Sequence, residues 1–261
     1  MRIALGLEYD GALFHGWQSQ ADGSAVQDAV EHAVAEIAGA HARVAAAGRT
    51  DSGVHATMQI VHFDSAAARP MSAWVRGVNA LLPPTVAVRW ATAVDSEFHA
   101  RFSAAGRHYT YLLLDRPERP ALLASRVGWY HQPLALEAMR AAAASLLGVH
   151  DFSAFRAAEC QAKSPVKTLD RLDITREGDM LRFELHADAF LHHMVRNIVG
   201  SLVYVGAGRQ ALDWVAQLLA SRDRTRAAPT FSAAGLYLTG VDYAQRWNLP
   251  ATQAPLRLPR A

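Results

Sequence analysis

The sequence predicts an α+β fold built from two ferredoxin-like (split βαβ) units. Segments with strand periodicity and segments with helix periodicity follow one another in the order β-α-β-β-α-β, and this order occurs twice along the chain. A composition of 51% hydrophobic residues over 261 positions supplies enough apolar material for the core of such a fold. We expect the units to lie side by side and form one long, mainly antiparallel sheet with helices on one face. The other face would then be open to a ligand.

The first unit is predicted at residues 1–105. Apolar residues at a spacing of two predict its strands, and apolar residues at helical spacing predict its helices. The strands are expected at 2–9, 43–47, 58–63 and 86–94, and the helices at 26–37 and 70–81. Ser24 and Gln27 predict a capping box for the first helix, and Pro83-Pro84 ends the second.

The second unit is predicted at residues 106–247, followed by a C-terminal tail at 248–261. Its first strand is expected at 108–114, and its first helix at 134–147, entered at Pro133. The later elements are a hairpin of strands at 169–175 and 181–186, helices at 192–205 and 212–220, and a strand at 236–241. This last strand is expected to complete the second unit.

The composition limits the class of protein. With 26 basic and 24 acidic residues the formal net charge is only +2, which does not by itself indicate a nucleic-acid partner. All basic residues except Lys163 and Lys167 are arginines, which suit phosphate and base contacts, although genomic base composition produces the same bias. The single cysteine, Cys160, excludes an internal disulfide and a cysteine-based zinc cluster. We find no membrane-spanning run and no signal-like start, so we expect a cytoplasmic protein.

The densest polar cluster is Ala47-Gly48-Arg49-Thr50-Asp51-Ser52-Gly53-Val54-His55, between two predicted strands. Gly48 and Gly53 permit a tight, unusual backbone path, and the short polar side chains between them cap turns. Turn formation alone would explain Asp51. A cation such as Arg49, two residues before the aspartate, instead keeps a carboxylate ionised and nucleophilic. Both interpretations of Asp51 fit the pattern.

Two further clusters carry side chains of chemical interest. The segments Phe98-His99-Ala100-Arg101-Phe102 and Arg107-His108-Tyr109-Thr110-Tyr111 interleave basic and aromatic residues. That mixture binds a phosphate backbone and stacks an unpaired base, but alternating aromatics are also ordinary strand residues. His192 and His193 are adjacent, so they point about 100° apart on a helix and do not chelate one metal as an i, i+4 pair does. We therefore expect no metal site.

Taken together, these motifs resemble those of the bacterial tRNA pseudouridine synthases. The matching segments are Tyr9-Asp10-Gly11, Phe14-His15-Gly16-Trp17-Gln18, Ala47–Asp51, Phe98–Phe102, Arg107–Tyr111, Asp151-Phe152, Phe190–Gly200 and Gly235–Leu238. Each segment is weak evidence alone, but the set runs nearly from end to end and is specific. The departures, such as Ser52 and Lys163, do not fall on a residue that is expected to react.

The resemblance implies an isomerase with the pseudouridine synthase fold that converts uridines 38, 39 and 40 of the tRNA anticodon stem-loop to pseudouridine without a cofactor. Asp51 would be the nucleophile that detaches the uracil, and Arg49 would fill the space left by the flipped base. Tyr109 would stack on that base, Arg196 would pair with Asp51, and Leu236 would line the pocket.

The resemblance also implies tRNA contacts and a homodimer. The residues expected to contact RNA are Arg69, Phe98, His99, Ala100, Arg101, Phe102, Glu159, Cys160, Gln161, Ala162 and Lys163. The apolar helix predicted at 192–205 favours the same dimer, as a surface for a second chain to cover.

Two other classes of function fit parts of the sequence. A non-catalytic RNA-binding module shares the ferredoxin-like architecture, but it would not require Asp51, and the strands lack the aromatic RNP signature. A metal-dependent hydrolase would use His55, His62 or His192. Metal analysis of the purified protein separates this class from the others.

Overall fold

The computed structural model describes residues 1–256, and the chain divides into two compact units. Unit 1 contains Met1–Gly106 and the chain from Tyr237 onward, and unit 2 contains Arg107–Leu236. Each unit has both strands and helices, so the predicted α+β class is confirmed. Residues 257–261 of the predicted tail lie outside the described residues. Among residues 1–256, every helix is too short or too polar to cross a membrane.

The secondary structure follows the predicted order with two additional short strands. The strands are β1 (Arg2–Tyr9), β2 (Ala45–Ala46), β3 (His55–Asp64), β4 (Val86–Val94), β5 (Ala104–Asp115), β6 (Gly128–Tyr130), β7 (Gly148–Asp151), β8 (Val166–Glu177), β9 (Met180–Ala187) and β10 (Leu236–Tyr243). The helices are α1 (Val26–Ala38), α2 (Met71–Leu81), α3 (Leu136–Ala143), α4 (Met194–Gly206) and α5 (Trp214–Ser221). The sequence does not predict β6 and β7, because three or four residues are too few to show a period.

In unit 1, β1 lies between β3 and β4, and both pairings are antiparallel. β2 pairs with β3 near the C-terminal end of that strand, where Ala45 lies beside His62. The resulting strand order β4-β1-β3-β2 follows from the predicted ferredoxin-like element order. Helices α1 and α2 pack on each other, and Trp74 of α2 contacts Phe63 of β3 with ring centroids 5.2 Å apart. These contacts bury the apolar faces that the periodicity predicts.

The start of α1 differs from the predicted capping box. Ala25 is the N-cap residue, and the Asp28 carboxylate accepts its N–H at 3.1 Å. The Ser24 hydroxyl instead donates to Asp22 at 2.6 Å. The predicted box is wrong because the helix starts one residue later, which moves the third helical position from Gln27 to Asp28.

From Tyr237 onward β10 belongs to unit 1, whereas the sequence assigns this strand to the second unit. Tyr237 pairs in parallel with His55 at the start of β3, the end that β2 leaves free. The chain after β10 adds to the same unit, since the Ala254 carbonyl accepts from the Thr57 hydroxyl at 2.5 Å. Local patterns predict that a strand forms, but they do not show which strand it will join.

In unit 2, β8 and β9 form the predicted hairpin and turn at Gly178, whose φ is +58°. β9 pairs antiparallel with β5, where Leu185 lies opposite Tyr109, and β7 pairs with β8. Helix α3 packs against α4 and β8. This unit therefore presents Tyr109 on one strand and the predicted Arg196 on one helix.

Helix α4 is covered within the single chain. Every residue of α4 except Arg196 and Tyr204 is buried. The Asn197 side chain, fully buried, donates to the Phe155 carbonyl at 2.8 Å. The expectation that this helix needs a second chain to cover it is therefore wrong, and a homodimer has to be argued from other features.

Candidate active site

The Asp51 loop, residues 47–54, connects β2 to β3 in unit 1. The Val54 N–H donates to the Asp51 carbonyl at 3.1 Å, so the loop ends in a tight turn. Gly53 lies in that turn with φ at +77°, a conformation that favours glycine. Gly48 differs, since its φ is not positive and an added Cβ would meet no atom within 4 Å. The unusual backbone path predicted for both glycines therefore applies to Gly53 alone.

The segment 14–17 lies against the Asp51 loop through backbone atoms. The Trp17 N–H donates to the Thr50 carbonyl at 2.9 Å. Gly16 has φ at +85°, and a Cβ on it would come within 2.8 Å of the same Thr50 oxygen and 3.2 Å of the Asp51 carbonyl carbon. The Phe14-His15-Gly16-Trp17 motif thus holds the loop by an approach that only glycine permits.

Buried side chains from β1 and β3 contact the loop from the protein interior. The Gln59 amide nitrogen donates to the Gly48 carbonyl at 2.7 Å, and the hydroxyls of Tyr9 and Thr50 lie 2.9 Å apart. Burial raises the pKa of Tyr9 to about 12, against the opposing effect of its hydrogen bonds. The phenol is therefore neutral at physiological pH and available as a hydrogen-bond donor.

Arg49 and Ser52 are exposed at the surface of this loop, and the Asp51 side chain between them is partly accessible. Arg49 is exposed and Asp51 is half-buried, while Thr50 between them is only 6% exposed. The bonds at Thr50 and the turn from Asp51 to Val54 fix the backbone on both sides of the Asp51 side chain. A carboxylate that leaves a fixed backbone at an accessible point has the placement that a nucleophile needs.

The segment Phe98–Phe102 divides into a buried and an exposed part. Phe98 and Ala100 are fully buried, and Phe98 packs against the rings of Tyr243 and Trp247 at 5.4 Å each. Direct RNA contact by their side chains is therefore excluded in this conformation. Arg101 and Phe102 are exposed, Phe102 at 77%. These two present a cation and a ring of the kind expected for RNA binding.

Two histidines hold the backbone of this segment. The Ala100 N–H donates to Nδ1 of His62 at 3.2 Å, and the Arg101 N–H donates to Nδ1 of His99 at 3.1 Å. Burial, together with the neighbouring His99 and Arg2, lowers the pKa of His62 to about 4. His62 is therefore neutral at physiological pH, as an accepting Nδ1 requires.

Tyr109 lies on β5 of unit 2 and is half-buried. Its ring meets that of Phe190 edge-on, with centroids 5.0 Å apart. This contact fixes the ring plane while leaving part of the side chain accessible. Tyr109 therefore has the exposure and support expected of a residue that stacks on a base.

Arg196 lies in the first turn of α4, and its Nε donates to the Phe231 carbonyl at 2.8 Å. The residue before the helix, His193, adopts a left-handed backbone with φ at +62°, which is uncommon outside glycine. Leu236, at the end of unit 2, is buried at 5% exposure. The pairing of Arg196 with Asp51 stays a prediction.

The other predicted RNA contacts are mostly on the surface. Arg69, Glu159, Gln161 and Lys163 are exposed, and His99, Cys160 and Ala162 are half-buried. The Arg156 guanidinium donates to the carbonyls of Cys160 and Ala162 at 2.6 and 3.1 Å, which gives this segment its shape. Although burial opposes it, the backbone N–H groups of Ala162 and His192, together with Arg156, lower the pKa of the Cys160 thiol.

Two of the three histidines considered for a metal-dependent hydrolase, His55 and His62, have contacts with backbone groups. His55 is buried, its ring stacks on Tyr237 at 4.7 Å, and its Nδ1 lies 3.1 Å from the Gly11 nitrogen and 3.0 Å from an Asp10 carboxylate oxygen. The Nδ1 of His62 is likewise engaged with a backbone N–H. These bonds give both histidines a structural role in unit 1. The third, His192, precedes helix α4, and its ring centroid lies 4.0 Å from that of His193, so the expected separation of these two rings on a helix is wrong.

Sequence reasoning missed Gln59, and it gave Tyr9 no role beyond its place in a matching segment. A signal was present, since Gln59 interrupts the otherwise apolar run Met58–Val61 of a buried strand. An uncharged amide inside such a strand requires a buried hydrogen-bond partner. That partner is the Gly48 carbonyl of the Asp51 loop.

Comparisons of the sequence with known proteins point to one family. A family model described as tRNA pseudouridine synthase matches residues 7–103 and 142–244. The chain is 63% identical over 259 residues to tRNA pseudouridine synthase A of Chromobacterium violaceum, covering 99% of each. It is 61% identical over 250 residues to tRNA pseudouridine synthase A of Dechloromonas aromatica, covering 96% of this chain and 95% of the relative.

A solved structure, the crystal structure of a Cbf5–Nop10–Gar1 complex, matches with a TM-score of 0.36 and 11% identity. That match covers 90% of this chain and 48% of the other, so the chain spans about half the length of that neighbour. The family model, which matches residues 7–103 and 142–244, and the curated relatives, which match nearly the whole chain, decide the assignment. The chain therefore belongs to the tRNA pseudouridine synthase family, a family of isomerases.

Proposed function

We propose that this chain converts uridines 38, 39 and 40 of the tRNA anticodon stem-loop to pseudouridine, with Asp51 as the nucleophile. Family membership supports the reaction and the tRNA substrate. The observation that supports the role of Asp51 is the way in which the Asp51 loop is held. Its backbone is held at Thr50 and Val54, while the Asp51 side chain stays partly accessible.

The reaction is an isomerisation in which no atom is gained or lost. The bond between uracil N1 and ribose C1′ breaks, a bond between C5 and C1′ forms, and the proton lost from C5 is balanced by one gained at N1. The Asp51 carboxylate supplies the electron pair for a covalent intermediate, which lets the uracil rotate before it rejoins the ribose. The nucleotide must leave its stem first, and Arg49, exposed beside Asp51, fills the vacated space.

Tyr109 and the exposed end of the Phe98–Phe102 segment supply binding. The accessible ring of Tyr109 stacks on the flipped base, and Arg101 with Phe102 contacts the RNA outside the pocket. The protein acts in the cytoplasm as a homodimer, because two chains together present a larger basic surface to the tRNA. A monomer mass by light scattering at micromolar concentration, with full activity, would contradict the dimer.

Asp51→Asn tests the nucleophile. The amide has nearly the same shape and is able to cap the same turn, but it cannot attack carbon. We expect a folded protein that binds tRNA with near-normal affinity and forms no pseudouridine in single-turnover assays with enzyme in excess. Asp22→Asn is the matched control, because Asp22 is an exposed aspartate that accepts from Ser24 within its own turn.

The outcomes separate the alternatives. Substantial pseudouridine formation by Asp51→Asn would reduce Asp51 to a turn cap, which contributes about 0.5 to 2 kcal/mol to stability where the amide fails to replace it. If the wild-type protein binds tRNA but never forms pseudouridine, it is an RNA-binding module.

A further inference from the structure

The Gln59 side chain is fully buried, and its orientation is determined by one neighbour. A backbone carbonyl only accepts, so the NH₂ group of Gln59 must face the Gly48 oxygen, 2.7 Å away. The Gln59 Oε1 then has no hydrogen-bond partner among the described residues. An unpaired buried acceptor destabilises the fold. The interaction that favours an amide at this position is therefore the bond that its nitrogen makes to the Asp51 loop.

The same amide joins a chain of hydroxyl groups. Its nitrogen also lies 3.5 Å from the Tyr9 hydroxyl, so the Tyr9 oxygen receives the second amide proton. The Tyr9 and Thr50 hydroxyls lie 2.9 Å apart, and either of them can donate to the other. Gln59, Tyr9 and Thr50 thus form one continuous chain of hydrogen bonds.

These bonds end on both sides of Arg49, at Gly48 and Thr50, and Thr50 directly precedes Asp51. The preceding residue, Ala47, still bonds β3 through the Ile60 carbonyl at 2.8 Å. At Gly48 the Gln59 side chain takes over from this backbone pairing. The loop is thus tied to the sheet by side chains at the point where it leaves the strand.

We infer that Gln59 and Tyr9 are positioning residues for the reaction, which hold the Asp51 loop at Gly48 and Thr50 so that the carboxylate keeps one location during base flipping and attack. The inference rests on the proposed role of Asp51. Neither side chain touches the substrate, and both act through the loop backbone and Thr50. A displacement of about 1 Å at a reacting group lowers rates by about 10²-fold, which sets the scale of the expected effect.

Gln27 provides a comparison within unit 1. It is also a buried glutamine, but both ends of its amide have partners. The nitrogen donates to the Val44 carbonyl at 3.2 Å and to Glu31 at 2.7 Å, and the oxygen accepts the Ser19 N–H at 3.1 Å. Gln27 therefore has the hydrogen bonds of a structural residue at both its amide nitrogen and its amide oxygen, whereas the Gln59 oxygen has no partner among the described residues.

The test compares Gln59→Met with Gln27→Met in the full chain. Methionine keeps the volume of the side chain and removes the amide. For Gln59→Met we expect an unchanged Kd for tRNA and a single-turnover rate lower by about 10²-fold. The melting temperature should change little, because the loss of the bond to Gly48 and the removal of the unpaired Oε1 act in opposite directions. For Gln27→Met we expect a lower melting temperature and an unchanged rate for the folded protein.

Tyr9→Phe and Thr50→Val test the same hydrogen bonds without relying on Gln59→Met to fold. Each should slow the single-turnover step without changing the Kd, and Thr50→Ser, which keeps the hydroxyl, should restore most of the rate. Because the three residues act as one unit, Gln59→Met combined with Tyr9→Phe should be little slower than the slower single variant.

A wild-type single-turnover rate in Gln59→Met and in Tyr9→Phe would overturn the inference. The inference would also be overturned if Gln59→Met and Gln27→Met lost single-turnover rate in the same proportion to their loss of melting temperature. Both results are distinct from a failure of the proposed function, which would show as an active Asp51→Asn or as an inactive wild-type protein. If Asp51→Asn is inactive while the Gln59 and Tyr9 variants are fully active, only the positioning inference fails.

Discussion

The Asp51 loop and the Phe98–Phe102 segment are held by two side chains of the same strand, β3, in different ways. Gln59 bonds the first through an amide that does not titrate, and His62 bonds the second through an imidazole that does. The Asp51 loop is also held by backbone contact with segment 14–17. The proposed reacting group thus depends on contacts that are insensitive to pH, whereas the proposed binding segment has a titratable anchor.

The largest effect is expected from Gly16→Ala. The new Cβ would lie 2.8 Å from the Thr50 carbonyl oxygen, at a backbone φ of +85° that alanine rarely adopts. Either segment 14–17 or the Asp51 loop must shift, so we expect the single-turnover rate to fall by about 10²-fold or more.

Gly48→Ala is the matched control for Gly16→Ala, because an added Cβ there meets no atom within 4 Å. It should leave the rate unchanged and raise the free energy of unfolding by up to about 1 kcal/mol. Similar rates for both variants would show that close approach at Gly16 does not position the Asp51 loop.

The Phe98–Phe102 segment should affect affinity instead of the chemical step. Phe102→Ala should weaken tRNA binding by about 1 to 3 kcal/mol if its exposed ring stacks on a base. Arg101→Ala should reduce the slope of log affinity against log salt by about 0.7 to 0.9 for one phosphate contact. Filter binding over a series of salt concentrations measures both, and a lower single-turnover rate at saturating enzyme would contradict this division of roles.

The smallest effect is expected for His62 and concerns pH. Burial, with His99 and Arg2, lowers the pKa of His62 from 6.5 to about 4, so the unfolded chain binds this proton more readily than the folded protein. The His62 contribution to stability is therefore constant above pH 6.5 and falls as the pH drops from 6.5 to about 4.

His62→Asn keeps an acceptor near the position of Nδ1 and removes the titration. Its melting temperature should fall less than that of the wild-type protein between pH 7 and pH 4, as followed by circular dichroism. His41→Asn, at an exposed histidine, is the control and should keep the wild-type dependence. Parallel curves for wild type and His62→Asn would show that His62 does not anchor the Phe98–Phe102 segment through a neutral ring.

Much of the fold could be predicted from the sequence because its elements are long and periodic. The β4 strand has the predicted bounds, and α2 starts one residue after the predicted Pro70. The periodicity of α4 was equally clear, but it did not show that the other parts of the chain cover this helix. The sequence likewise did not show that β10 pairs with β3, because strand pairing depends on distant parts of the chain.

The candidate site was predicted in part. Asp51 and Arg49 were found because charged residues beside Gly53 stand out, but the roles of Gly16 and Gln59 depend on contacts between distant segments. The burial of Phe98 could not be read from its motif, because one motif combines residues that support the segment with residues that face outward. Residue types indicate the chemistry, and only the packing shows which members of a motif are accessible.

Unit 1 is assembled from two stretches of the chain that are far apart in the sequence. During synthesis on a ribosome, the start of β3 emerges long before Tyr237, the residue that pairs with His55. Throughout that interval the strand edge next to the Asp51 loop has unpaired backbone groups, while all of unit 2 is being made. Pairings across such long separations form slowly and leave edges open to association with other chains. A nascent chain stalled before residue 237 would therefore keep the Asp51 loop beside an unfinished sheet, and that loop would reach its final surroundings only late in translation.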